Sequence, residues 1–432
     1  MTAQSVTAGK IAEVIFENAL ETFESQQMML NMVDFWEPDD STLQNSNNFI
    51  WRNVEQHAPV IEGWDLTGLE TGIIEETYPA LLGTPTNDYV TLRADNLRDR
   101  GFWERRGRAS GERQASFLNQ AITSAMVNQA SLHYHSETTS GFDFISEGQA
   151  LMNERQMPSG ERCFLLNDRS NQAFASELAG RATLQGRPAD TWNTGQIGAN
   201  VAEFDVYTGS FIPTLDGGAS PNTTVTGNHS FAPEGGAVNA TSGNVSNVDY
   251  RVADLTVASS ALYTVGDKVA IINDQGGFID ALGRDDKTNT GQPMTFTVAA
   301  IPDGTTLTLY PKPIAADDAA LSTEELAYAN VDTTIDNAAI VVRRNTQTSI
   351  RPNLFWDKGA VEVMGGSVPA QLFQEFGGKR VITERMSNGL TLYMLYDGAI
   401  ADMTLSFRMF TWYGITVKAP QNVGVAERRA TT

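Results

Sequence analysis

Apolar residues near the start of the chain recur at helical spacing. Over residues 10–32, Ile11, Val14, Ile15, Ala19, Leu20 and Phe23 form one stripe, and Glu13, Glu17, Glu21 and Glu24 form an acidic flank beside it. This pattern predicts an amphipathic helix. A second stripe, Leu118, Ala121, Ile122, Ala125 and Met126, predicts a long helix from about residue 100 to His133. Gly107 and Gly111 fall in its first half, and glycine is a poor helix former, so a bend there and a candidate hinge are expected. Further along, a helix over Glu147–Arg155, a short buried strand over Cys163–Leu166 and a helix over Ser170–Arg181 describe helices covering a sheet.

Between these blocks the pattern changes twice. From Asn45 to Asp88, turn formers such as Gly63, Gly72, Pro79, Gly83 and Pro85 separate the apolar residues, which predicts an extended loop or hairpin. A two-stranded projection cannot cover both its faces, so Trp51, Trp64 and Tyr78 are expected to find cover on a neighbouring subunit or, alternatively, against another part of the same chain. From Pro221 to Asp249, Asn, Thr, Ser and Gly dominate, and beyond lie strand candidates at Tyr250–Ala258, Lys268–Ile272, Met294–Ile301, Thr306–Tyr310 and Ala338–Arg343. Met294, Phe296 and Val298 alternate with Thr295 and Thr297, and Leu307 and Leu309 alternate with Thr306 and Thr308. The turn Pro302-Asp303-Gly304 joins the two runs into a hairpin with one buried face. The region of about 223–345 therefore reads as an inserted small antiparallel β-barrel, with Ser322 and Glu325 as a capping box for a short helix inside it. The fold class is α+β.

Charge narrows the range of functions. With 30 basic against 52 acidic residues the formal charge is −22, which repels nucleic acid and argues against tight DNA binding over a large surface. The densest basic stretch holds seven arginines, among them Arg93 and Arg98, between Leu92 and Arg113. Asp95, Asp99, Glu104 and Glu112 interleave with them, which favours salt-bridge networks along a helix or between subunits over phosphate contacts. No apolar run approaches the roughly 18 residues of a membrane span, and no secretory leader is visible at the N-terminus.

Candidate chemistry is sparse. Cys163 is the single cysteine and sits in an apolar run, so it reads as a buried inert thiol. His133 and His135 fall at the end of the predicted long helix, where residues two apart face different ways, so they read as helix-end histidines and not as a metal pair. The sequence contains no phosphate-binding loop, nucleophile elbow or zinc-protease motif. Neither an enzyme nor a cofactor is expected.

Four runs carry a resemblance. IWRNVEQHAPVIEGWDLTG from Ile50, LRADNLRD from Leu92, YPKPIAADDAALSTEELAYANVDTT from Tyr310 and WYGITVKAPQNVGV from Trp412 resemble, in collinear order, the coat protein of short-tailed double-stranded DNA phages of the P22 type. That resemblance implies an HK97-like phage capsid fold with an inserted β-barrel domain. It implies an N-terminal arm at 1–40, an extended loop at 45–88 and a peripheral domain with a spine helix at 89–140. It further implies a first axial part at 141–222, the insertion at 223–345 and a return through axial and peripheral domains at 346–432.

Function is implied on the same footing. The resemblance implies a major capsid protein that assembles as pentamers and hexamers into an icosahedral shell, through a scaffold-assisted procapsid that expands on maturation. The implied partners are further copies of the chain, a scaffolding protein, a portal protein, and packaged DNA enclosed without sequence-specific binding; no membrane is involved. The virion is the expected location and the host bacterial cytoplasm the place of assembly. Glu13, Glu17 and Glu21 stand where a basic scaffold segment is expected to dock. Glu234, Asp249 and Arg251 lie in one of two loops, about 232–251 and 275–293, that correspond to contact loops between capsomers. The first of these loops is poor in charge, which favours polar backbone contacts over salt bridges there.

Overall fold

The computed structural model describes residues 3–38, 49–56, 62–65, 67, 72–93, 99–137, 141–157, 159–180, 198–216, 222–236, 248–345, 349–367, 380–399 and 403–428. They divide into two compact units. One comprises Met1–Ile50, Ala80–Thr123 and Val361–Thr416, and the other Trp51–Pro79, Ser124–Ala360 and Val417–Thr432. The inserted region does not separate as a body of its own, so the division is coarser than the six parts expected.

The first unit is built on two helices, α1 (Ala3–Gln26) and the leading part of α2 (Arg100–Gln129). Ile11, Ile15, Phe16, Ala19 and Phe23 of α1 are buried, as the stripe requires. The end of α1 is sealed by Asn119, whose Nδ2 donates to Gln26 O at 3.1 Å while its Oδ1 accepts from Met29 N at 3.1 Å. Asn119 thus supplies partners for one carbonyl and one amide that the ending helix leaves over. An antiparallel sheet runs in the order Arg380–Arg385, Thr391–Ala399, Thr404–Thr411, Thr86–Arg93. In a smaller sheet, Val361–Gly365 pairs in parallel with Asp34–Trp36 and lies next to Tyr413–Val417.

In the second unit a mixed sheet runs Leu132–Ser136, Val423–Arg428, Asn353–Asp357, Arg162–Leu166, Phe204–Thr208, Gly198–Val201. α3 (Gly141–Glu154) and α4 (Asp168–Gly180) accompany it, and Tyr134, Phe144, Phe164, Phe174, Phe204 and Phe355 form an aromatic core. Aromatic side chains bury the most apolar area per residue, so this cluster dominates the layer's stability.

The insertion folds into a second sheet, ordered Ala253–Thr256, Thr306–Tyr310, Phe296–Asp303, Lys268–Ile272, Ile340–Arg343, Asn222–Thr224. A bridge from Val225 to Val257, with Thr226 N donating to Thr256 O at 2.9 Å, joins the two edge strands and closes the sheet into a barrel. Closure removes the open edges that invite unwanted pairing. Val298 faces Leu309 in the hairpin, and Leu255, Phe296, Leu307 and Val341 are among the residues that fill the interior. Ser322 Oγ accepts from Glu325 N, and Glu325 Oε2 accepts from Ser322 N at 2.7 Å, completing the capping box of the short helix α5 (Thr323–Leu326).

Two expectations are corrected. α2 runs unbroken through Gly107 and Gly111, so these glycines do not interrupt it; they answer to tertiary packing. The long helix also stops at Gln129, and His133 and His135 lie on the strand Leu132–Ser136. On a strand, residues two apart share a face, and both rings approach the buried Glu427, at 3.4 Å and 3.9 Å. Burial lowers the His133 pKa, against the pull of Glu427.

Candidate assembly surfaces and the charged joints beneath them

α1 offers an acidic face. Glu13, Glu17 and Glu21 are exposed on the side away from its buried stripe. Glu24 differs, because its Oε1 accepts from Ser387 N at 2.9 Å and is already engaged. Opposite the acidic face, α1 lies so close to α2 that a Cβ at Gly107 would fall on Ile15 O and 3.0 Å from Asn18 Cβ. One at Gly111 would fall on Ala19 O and 3.1 Å from Phe23 N. The glycines are what allows the two backbones to approach.

The arginine-rich stretch pairs with acids, as the interleaving predicts. Arg100 meets Glu104 at 3.2 Å, Arg105 meets Asp99 at 3.4 Å, and the mostly buried Arg106 meets Asp88 at 2.9 Å, with Ser110 donating to the same carboxylate. Arg93 is exposed at the end of its strand, opposite Thr404. Arg98 lies outside the described residues.

The hairpin departs most from expectation. Its strands Phe49–Glu55 and Glu75–Leu81 pair with each other. Tyr78 is 3% exposed, and its ring lies 3.9 Å from the Arg251 guanidinium of the same chain. Trp51 is half-buried with its ring 6.4 Å from that of Tyr250. Tyr328 donates to Val54 O at 2.6 Å, and Thr77 N to Glu234 O at 3.4 Å. Tyr78 therefore finds its cover within the chain, and Trp51 finds part of its cover there. Trp64 alone of the three aromatics is fully exposed, at 109%.

Asp249 and Arg251 are likewise an internal pair. Arg251 is 6% exposed; its Nε and Nη2 donate to the two Asp249 carboxylate oxygens at 2.9 Å and 2.7 Å. Its Nη1 donates to Val417 O and Lys418 O at 2.7 Å and 2.9 Å. Burial works against the charge, yet Tyr310 and Asp249 outweigh it and raise the guanidinium above its ordinary pKa. A bidentate fork with its other donors also satisfied is a staple, not a free contact group. Glu234 lies 3.9 Å from Lys312 with its side chain mostly exposed.

Among the buried charges that sequence reasoning missed, two stand out. Lys268 is 0% exposed, and its Nζ donates to Val127 O at 2.7 Å, Ala130 O at 2.8 Å and Thr297 Oγ1 at 2.8 Å. Burial pulls its pKa down to about 7, while three acceptors, one for each ammonium proton, favour the charged form. It joins the barrel to the last carbonyls of α2. Glu76, 8% exposed, is pushed up to about 7 by burial, against the pull of Lys312 and Arg251. A lysine opening an otherwise apolar strand was the available signal for the first; nothing in the sequence pointed to the second. The Cys163 thiol is buried and pushed up to about 12 by that burial, which suits an inert role.

Comparison with known proteins adds the family. The chain is similar to the capsid of cyanophage P-SCSP1u, with 9% identity and a TM-score of 0.45 over 94% of this chain and 89% of that one. It is similar to a structure from Mycobacterium phage Che8, with 10% identity and a TM-score of 0.44 over 93% and 91%. The capsid of Ralstonia phage GP4 matches with 8% identity and a TM-score of 0.43 over 95% and 92%. The model of the family described as P22 coat protein, gene protein 5, matches residues 4–426. With nearly its whole length matched in this way, the chain belongs to the P22 coat-protein family and is a phage coat protein, a structural component of the virion.

Proposed function

We propose that this chain is the major capsid protein of its phage, assembling as pentamers and hexamers into an icosahedral shell around the genome in the host cytoplasm. The family match over residues 4–426 carries this reading. The role is structural and not catalytic. A closed shell requires each copy to bury heterologous surface on several neighbours, with rotation closing rings. Exposed apolar side chains, Trp64 in one unit and Leu81, Tyr89 and Phe117 in the other, are the surface that such neighbours would cover.

Assembly proceeds through a procapsid formed with a scaffolding protein and a portal, and the shell expands as DNA enters. The acidic face of α1 supports scaffold docking, since three carboxylates spaced along one exposed helix face suit a basic partner helix. The strongly acidic chain suits a container that does not grip its duplex.

The test is the triple charge reversal E13K/E17K/E21K, co-expressed with the scaffold. Scaffold affinity should fall at least about tenfold, roughly 1.4 kcal/mol, with few closed shells in negative-stain micrographs. The melting temperature of the unassembled chain should stay where it was. Normal shells at normal yield would remove α1 as the dock. Fibres or monomers from the wild-type chain with its scaffold would remove the capsid reading.

A further inference from the structure

The second unit holds a half-open cavity of about 100 Å³ whose lining has an inverted charge balance. Among the described residues, six that line it are basic, Arg155, Arg251, Arg284, Lys287, Lys312 and Lys418, and Glu76 is the one acid. Acids outnumber bases in the chain by 52 to 30, so this wall runs against the composition.

Some of these cations are answered within the fold. Arg251 is held by Asp249, and Lys312 donates to Ala232 O at 3.2 Å with Glu234 nearby. Arg155 is different. It is 2% exposed; Nη2 donates to Pro293 O at 3.1 Å and Nη1 reaches only the Met294 sulfur, at 3.3 Å. Among the described residues its Nε has no acceptor and no carboxylate lies within ion-pair distance. Lys287 donates to a carbonyl, Ala329 O, at 3.2 Å. Burial pulls Arg155 down to about 10 and Lys287 to about 8. Glu154 partly answers Arg155, and Asp285 and Asp286 partly answer Lys287, although among the described residues neither cation has a carboxylate at ion-pair distance. A buried charge so weakly countered is costly, and that cost falls when an anion shares the site.

We propose that this cavity is a binding site for a compact tetrahedral oxyanion of the phosphate class, taken up from solution. Its volume exceeds the roughly 15 Å³ that one water requires and is well below the roughly 300 Å³ of a small organic-ligand pocket, which selects a single oxyanion over a nucleotide. Arginine forks and lysine ammonium groups are the donors such an anion takes. Glu76 Oε1 has no donor among the described residues, and in its protonated form this carboxyl donates to an anion oxygen instead of repelling it. The anion ties the hairpin, the end of α3, the barrel and the segment after Val417 into one charge-balanced joint, so binding stabilises the folded chain by linkage.

The experiment titrates the full-length chain with inorganic phosphate at constant ionic strength, chloride making up the balance. Calorimetry should show a saturable site, and the melting temperature should rise and then level off. R284Q alters the exposed rim and leaves the fold's internal bonds intact, whereas K287Q removes a half-buried donor and its fold is checked by circular dichroism; each should weaken binding about tenfold. Absence of saturable binding in the wild-type chain, or unchanged affinity in both rim variants that retain a native circular-dichroism spectrum, would overturn the proposal. A short duplex oligonucleotide that competes with phosphate and loses affinity in the same variants would reassign the site to the genome backbone and overturn uptake of a free anion.

Discussion

α1 and the barrel's joints use charge in opposite ways. Glu13, Glu17 and Glu21 stand in solvent on a helix whose place is set by apolar burial and by close approach to Gly107 and Gly111. Lys268 and Arg251 are buried, and their donors go to the backbone carbonyls of Val127, Ala130, Val417 and Lys418. An exposed carboxylate costs little to replace and is available to a partner. A buried ammonium removed from its acceptors leaves carbonyls stranded away from water. The comparison separates residues that serve recognition from residues that serve the fold, although both appear in the sequence simply as charged letters.

Four substitutions test that separation. The largest effect belongs to K268M, which leaves Val127 O without its side-chain donor and Ala130 O with Thr297 Oγ1 alone, and should cost about 3–5 kcal/mol, read as a lower urea midpoint. If the variant unfolds with the wild type, Lys268 is not a joint. Next is G111A, whose Cβ would fall on Ala19 O and force α1 away from α2, costing about 1–3 kcal/mol by overpacking. Limited proteolysis should cut the arm faster, and G107A should act alike and change particle size or expansion. Normal protease resistance and normal particles in both variants would show that the helices tolerate the extra methyl.

The smallest effect concerns pH. The folded pKa of Glu76 is raised to about 7 from an ordinary 4.5, so the folded state holds the proton longer than the unfolded one. Its contribution is complete below about pH 4.5 and is lost as pH rises through about 7. E76Q should abolish that loss, gaining about 1–2 kcal/mol over wild type at pH 8 and little at pH 5. Parallel pH profiles for the two proteins would mean that the Glu76 carboxyl is not desolvated.

Much of the local structure was legible in the sequence. The stripe of α1, the alternation in the hairpin around Pro302-Asp303-Gly304 and the Ser322–Glu325 capping box each depend on residues a few places apart, and the sequence displays such spacing directly. The glycines Gly107 and Gly111 do not break the helix, because intrinsic propensity is a weak prior when a second helix requires the missing side chain. Reading Tyr78 as an exposed anchor failed because its cover comes from Arg251, 173 positions later in the chain.

The sequence by itself determined most of the helices and strands, the barrel's hairpin and capping box, and the family to which the chain belongs. Those follow from short-range periodicity and from long matching runs. Tertiary structure alone decided which charges are buried and what they hold. The Lys268 link to Ala130 and the Arg251 fork beneath Tyr78 join residues remote in sequence, and desolvation depends on what surrounds a group in space, which no local pattern records.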